Sequence, residues 1–138
     1  MTEPYPAALS KLTWRLLWLA LAVMYCTAVE ICQAEEGKAS YYTVKSCQRE
    51  GTSGVWTASG ERYDETKLTC ALPHYQFGGQ YRVCRQDGSR CVVVRHNDFG
   101  PGKGPRRKGV VIDLSPTAFR QLAKLEQGLV AVTVERVE

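Results

Sequence analysis

The sequence predicts a mainly β domain closed into a small barrel, with one short helix. Three observations carry this expectation. Runs of β-branched residues recur at 92–94, 109–114 and 129–137, each bounded by polar or glycine-containing turns. Two extended segments flank Asp87-Gly88, a dipeptide that favours a tight hairpin. Helix punctuation at both ends occurs convincingly once, between Ser115 and Gly128. Closure into a barrel removes the exposed strand edges that a short all-β chain would otherwise present.

The elements follow in chain order. Lys38–Tyr42 reads as the first strand. Residues 45–79 are rich in Gly, Ser, Thr and Pro, without helical periodicity, and predict long loops with short extended pieces. Gln80–Gln86 and Ser89–His96 form the hairpin. Gly109–Leu114 is an apolar β-branched run, expected to be a strand buried on both sides. Ser115 can cap the helix and Pro116 suits its first position. Phe119, Leu122 and Ala123 make one apolar face, and Gly128 ends the helix. Leu129–Val137 alternates as the last strand. There are no repeats and no low-complexity segments.

Ahead of this domain, residues 16–29 read LLWLALAVMYCTAV, preceded by Lys11 and Arg15 and closed by Glu30. A membrane span needs about 20 such residues. The pattern instead predicts a secretory signal peptide, cleaved after Ala28 or after Ala34, with a retained anchor as the alternative. Tyr25 and Ile31 precede Cys26 and Cys32, where a lipid-attachment motif would need a small residue. The reading adopted is a leader over 1–34 and a domain over 35–138. It implies a periplasmic or extracellular location and no stable membrane span once the leader is removed.

Cleavage after Ala34 leaves Cys47, Cys70, Cys84 and Cys91, an even set suited to an oxidising compartment. Cys84 and Cys91 stand symmetrically about Asp87-Gly88, so they are expected to pair across the hairpin. Counting outward from a two-residue turn puts them at a hydrogen-bonded position, with Cα atoms about 5.5 Å apart. Cys47–Cys70 then follows by elimination. A small core gains most from such links.

Removing Lys11, Arg15, Glu3 and Glu30 leaves the net charge at +4. This mild excess suits an anionic wall polymer and is too weak to argue for nucleic acid. The cluster Pro105–Lys108 reads as a solvated loop. No CxxC pair is present and only His74 and His96 could serve as imidazole ligands, so no metal is expected. The GPGKGP run lacks the ending and helix of a phosphate-binding loop, and no GxSxG elbow is present. That leaves carboxylates: Glu61 and Asp64 in SGERYDE, Asp98 in VRHNDFGPG, and Asp113 at the end of the buried strand.

Six stretches in order carry a resemblance: GKASYYT near residue 37, TASGERYD (57–64), LTCA (68–71), FGGQYRV (77–83), VVVRHNDFGPG (92–102) and GVVIDLSPTAF (109–119). Together they resemble the double-psi β-barrel domain of the rare lipoprotein A family of septal lytic transglycosylases, and more distantly expansins. The resemblance spans about residues 37–137. It implies a six-stranded double-psi barrel that cleaves the MurNAc–GlcNAc bond of peptidoglycan strands and leaves 1,6-anhydro-muramyl ends, acting as a monomer without a cofactor. The alternative it leaves open is a non-catalytic, expansin-like glycan-binding protein.

The family's catalytic carboxylates match Glu61 and Asp98, with Asp64 and Asn97 as hydrogen-bonding support. Asp98 is the expected acid and Glu61 its charged partner, with the reverse assignment also open. In expansin-like relatives the important aspartate resembles Asp113, a third candidate. The chain departs from the family pattern at Leu72, where a histidine is usual and His74 is the nearest substitute. It departs also at Phe99 in place of an arginine and at Thr43 in place of a glycine. Tyr42, Trp56 and Phe99 are candidates for stacking on sugar rings.

Overall fold

The computed structural model describes residues 34–51 and 55–137. The leader reading rests on residues 1–33 and lies outside the described residues. Six strands close on themselves: β1 (Glu35–Tyr41), β2 (Thr69–Leu72), β3 (Gln80–Arg85), β4 (Cys91–Phe99), β5 (Val110–Leu114) and β6 (Val130–Arg136). Their order around the barrel is β1-β5-β2-β4-β3-β6. The pairs β1–β5 and β2–β4 are parallel, and the others are antiparallel.

Alternation explains what each strand buries. On β4, Val92 and Val94 point into the barrel while Val93 between them is 42% exposed. On β6, Val130, Val132 and Val134 are buried and alternate with more exposed neighbours. β5 was expected to be sealed on both faces. Val110, Ile112 and Leu114 are buried, whereas Val111 and Asp113 on the other face are only half-buried. That half-open face becomes important below.

The expected helix is present as Pro116–Leu122, with Ser115 accepting from the Ala118 amide and Pro116 at the first position. It stops earlier than the sequence suggests. Ala123 is extended, and a short 3-10 turn at Leu125–Gln127 precedes Gly128. Leaving the helix there brings Leu125 against the core. Two further one-turn helices occur at Val44–Arg49 and Lys103–Arg107, so among the described residues the α-helices are numbered α1, α2 and, at Pro116–Leu122, α3. Thr43 and Ser46 form a reciprocal capping box at the start of α1. This is the local use of the threonine that stands where the family has glycine. The α2 turn, Lys103–Arg107, takes in most of the Pro105–Lys108 cluster expected to be a solvated loop.

The hairpin disulfide Cys84–Cys91 is formed, but its register differs from the two-residue turn expected. The Arg85 amide donates to the Arg90 carbonyl at 2.9 Å, so the loop comprises Gln86–Ser89. The cysteines therefore occupy a non-hydrogen-bonded position, and their Cα atoms are 4.1 Å apart.

The expected Cys47–Cys70 link is absent. Cys70 and Leu72 point into the core on β2. Ala71, on the opposite face of that strand, shares a groove with Cys47. Strand alternation thus turns the Cys70 thiol away from Cys47.

Close packing also fixes one glycine. A Cβ at Gly37 would lie 2.5 Å from Val111 Cγ1 and 3.0 Å from the Gly109 carbonyl. Gly37→Ala is expected to cost about 1–3 kcal/mol through overpacking, read as a lower urea midpoint at unchanged slope.

Candidate active site

Three neighbouring strands, β5, β2 and β4, set two candidate carboxylates side by side. Ala71 on β2 stands opposite Asp113 on one neighbour and opposite Asp98 on the other. With strands about 4.8 Å apart, the two aspartate Cα positions are roughly 10 Å from each other. Between them Ala71 offers only a methyl group. Both aspartates line an open groove of about 540 Å³, with Tyr42, Glu50, Trp56 and Phe99 among its other walls.

The two carboxyls have different surroundings. Asp98 Oδ1 accepts from the Ala58 amide at 2.9 Å and from the Phe99 amide at 2.8 Å. These donors fix its rotamer at the strand end. Asp113 accepts from the Ser40 hydroxyl on the parallel strand β1. Burial pushes the Asp113 carboxyl up to about 6; the Ser40 hydrogen bond opposes this, and Glu50 and Asp98 add to it through their charge. Gly100 closes one side: a Cβ there would lie 3.1 Å from Asp113 Oδ2 and 3.3 Å from the Ala71 methyl.

Tyr42 lies on the same groove, its ring stacked on Tyr63 with centroids 4.5 Å apart. The Tyr63 hydroxyl donates to the Tyr42 carbonyl at 2.8 Å. The Tyr42 hydroxyl itself is buried beside Asp98. Its ionisation is pushed far up by burial first, then by Tyr63 and by the nearby Asp98 charge.

Glu61 is in a different situation. Its carboxylate takes a two-pronged ion pair from Arg95, at 2.7 and 2.6 Å, and accepts from Asn97 Nδ2 at 3.2 Å. The Arg95 hydrogen bonds, more than any other influence, hold its carboxyl down to about 2. Glu61 is not among the groove walls. It braces the loop instead, since the Thr57 amide donates to its carbonyl at 2.8 Å and the Ser59 amide donates to the Asn97 carbonyl at 3.2 Å. Arg95→Gln is expected to raise the Glu61 carboxyl from about 2 toward the ordinary range, which a side-chain carboxyl NMR titration reads directly. A value unmoved by the substitution would rule out the ion pair as the cause.

Of the remaining candidates, Trp56 and Phe99 stand at the groove, 61% and 44% exposed. Asn97 is buried, and its Oδ1 lacks a partner among the described residues. Asp64 is a turn residue away from the groove, accepting from the Thr66 amide and hydroxyl at 2.9 and 2.6 Å. His74 is not brought to the groove either. Its Nδ1 accepts from the Gln76 amide at 3.3 Å, which leaves Nε2 to donate to the Tyr81 hydroxyl at 3.2 Å. Leu72, where the family histidine is missing, is a core residue.

Several residues were not anticipated. Ser40, Glu50, Tyr63 and Ala71 meet the aspartates only through strand pairing and loop packing distant in sequence. Arg95 sits inside the VVVRHND stretch, yet its partner lies 34 residues away. His96 is fully buried, with Nε2 2.8 Å from the Asp98 carbonyl, so it props the backbone that carries the carboxylate.

Residues 34–134 match the family model described as Lytic transglycolase. A probable endolytic peptidoglycan transglycosylase RlpA from Nostoc sp. is 38% identical over 100 residues, covering 72% of this chain and 25% of the relative. The endolytic peptidoglycan transglycosylase RlpA of Pseudomonas aeruginosa is 36% identical over 102 residues, covering 74% of this chain and 27% of the relative. The chain thus spans about a quarter of the length of these two relatives. Among solved structures, a Streptomyces papain inhibitor superposes with a TM-score of 0.60 at 26% identity, covering 80% of this chain and 99% of that one. An expansin of Clavibacter michiganensis superposes at 0.55 with 21% identity, covering 77% of this chain and 51% of that one, a likeness of fold alone.

Proposed function

The chain belongs to the lytic transglycolase family, and from that premise we propose that its groove cleaves the MurNAc–GlcNAc bond of peptidoglycan strands outside the cytoplasm. The observation that carries the reading is the pair Asp98 and Asp113 facing one open groove across Ala71. Asp113, with its carboxyl raised to about 6, holds a proton in mildly acidic conditions and delivers it to the glycosidic oxygen. Asp98, its Oδ1 anchored by two amides, takes the proton of the muramyl C6 hydroxyl as that oxygen attacks the anomeric carbon. The C1–leaving-group bond breaks, a C1–O6 bond forms, and the product carries a 1,6-anhydro ring. No water enters.

This assignment moves the acid from Asp98 to Asp113. Glu61, held down to about 2 by its Arg95 pair, is a poor donor and serves the reaction by holding the Thr57–Ser59 loop beside Asp98.

The test uses native protein and glycan strands stripped of peptides, with mass spectrometry of the ends. Anhydro-muramyl ends are expected from the native chain and are expected to vanish in Asp98→Asn. Reducing ends without the anhydro ring would mean that water is the nucleophile. A native chain that binds strands and cuts none would favour the second reading, a non-catalytic glycan binder. That second reading draws support from Glu61, a family-matching carboxylate that stands outside the groove. The likeness to a papain inhibitor along its whole length adds a control, since papain activity is expected to be unchanged by excess chain.

A further inference from the structure

Phe99 on the groove wall pairs with a second exposed aromatic, Tyr75, outside that wall. The rings of Tyr75 and Phe99 stack with centroids 4.5 Å apart and planes 14° from parallel. Tyr75 is 69% exposed and Phe99 44% exposed. A parallel stack hides the facing sides of both rings, so the free apolar face Tyr75 offers is its outer one, with Phe99 backing it.

The pair is held rigidly. Phe77 meets Tyr75 edge-on with centroids 6.0 Å apart. The Gly78 amide donates to the His96 carbonyl at 2.8 Å, and the His96 amide donates to the Gly79 carbonyl at 2.9 Å. His74 reaches Tyr81, and the buried His96 ring lies against Phe77 with centroids 5.0 Å apart. The loop bearing Tyr75 is therefore sewn to β3 and β4 before any ligand arrives, so a ligand does not have to order it.

We propose that the outer face of Tyr75, backed by Phe99, is a stacking platform for a neutral pyranose ring of a strand that runs on past Asp98. The proposal rests on the glycan reading above and names a residue, Tyr75, that this reading does not need. Chemistry and position both point to a sugar. The outer face of a flat aromatic pair matches the C–H face of a β-linked pyranose, as aromatic faces match other apolar surfaces. Phe99 is adjacent in sequence to Asp98, and its own amide is one of the two donors that fix that carboxylate. Phe99 thus ties the Tyr75 face to the strand end that carries Asp98.

The experiment measures binding of soluble chitohexaose by calorimetry to the native chain, Tyr75→Ala, Tyr75→Phe and Tyr75→Trp, alongside steady-state cleavage of peptide-free strands. Tyr75→Ala is expected to weaken chitohexaose binding by about 3- to 10-fold and to raise KM with kcat unchanged. Tyr75→Phe is expected to bind as the native chain does, and Tyr75→Trp at least as tightly, because the ring and not the hydroxyl makes the contact. Native affinity in Tyr75→Ala would overturn the platform while leaving the groove reading intact. Equal losses in Tyr75→Phe and Tyr75→Ala would overturn stacking as the cause. A native chain that binds no chitohexaose and no strand would overturn the groove reading and the platform with it. Concentration-dependent dimerisation abolished by Tyr75→Ala, with glycan affinity unchanged, would give the pair to a second copy of the chain.

Discussion

Asp113→Asn is expected to lower strand cleavage by about 10²- to 10⁴-fold, the range for loss of a general acid. The same substitution is expected to change how stability depends on pH. In the folded chain burial pushes this carboxyl up to about 6, whereas in the unfolded chain it returns to about 3.9. Between these values the folded state binds more protons than the unfolded one, so stability falls as pH rises from about 4 to about 6. The stabilisation lost over that window is up to about 3 kcal/mol. Above it the ionised, half-buried carboxylate is a standing cost. Asparagine cannot ionise, keeps the Ser40 hydrogen bond, and removes that cost. Urea midpoints measured from pH 3.5 to 8 should therefore flatten between pH 4 and 6 in the variant and exceed the native values above pH 6. Cleavage by the native chain should decline through about pH 6 as the acid loses its proton. A native-minus-variant difference that does not fall across that window would rule Asp113 out as the raised carboxyl.

Phe119→Ala is expected to cost about 3–5 kcal/mol. Phe119 is fully buried on α3, and its ring meets Tyr41 of β1 with centroids 5.1 Å apart. It belongs to the core cluster together with Leu122 and the inward valines of the barrel. Truncation leaves a void that the closed sheet can collapse on only partly. Small domains are stable by about 5–15 kcal/mol, so this one change removes a large part of the total. Urea unfolding should show a much lower midpoint at unchanged slope. Val93→Ala, on the outward face of β4 at 42% exposure, is the control and should fall within about 0.5 kcal/mol of the native chain.

The barrel was legible because its strands advertise themselves locally. Val92 and Val94 alternate with Val93, Val130, Val132 and Val134 repeat with period two, and Ser115-Pro116 marks one helix start. The hairpin's centre was also legible, though its loop length was not. Turn type depends on which carbonyl the Gly88 amide reaches, and it reaches Arg85. The one-turn helices α1 and α2 were hidden because five or six residues are too few to show a 3.6-residue period. The Cys47–Cys70 expectation failed because elimination counts cysteines and knows nothing of which face of β2 each neighbour occupies.

The site was legible in part, through Asp98, Asp113, Tyr42, Trp56 and Phe99, all of which line the groove. What the sequence hid was the rank among the carboxyls. Glu61 and Asp98 both sit in polar motifs, and what separates them is the Arg95 ion pair on one and a place on the groove wall for the other. Asp113 gains its raised carboxyl from burial beside a strand 73 residues away in sequence, a distance no local pattern encodes.

The pairing of β1 with β6 places Glu35 opposite Val134, so the described domain begins and finishes on neighbouring strands at one end of the barrel. A unit whose ends leave together can be spliced into a host protein, or joined at either side, without stretching any strand. The same geometry permits rewiring. A short linker from β6 to β1, with new termini opened at Gly88 in the disulfide-clasped loop, would yield a permuted chain in which Ala71, Asp98 and Asp113 keep their pairings. The aspartate pair belongs to the sheet, and the chain can be threaded through that sheet from more than one starting point.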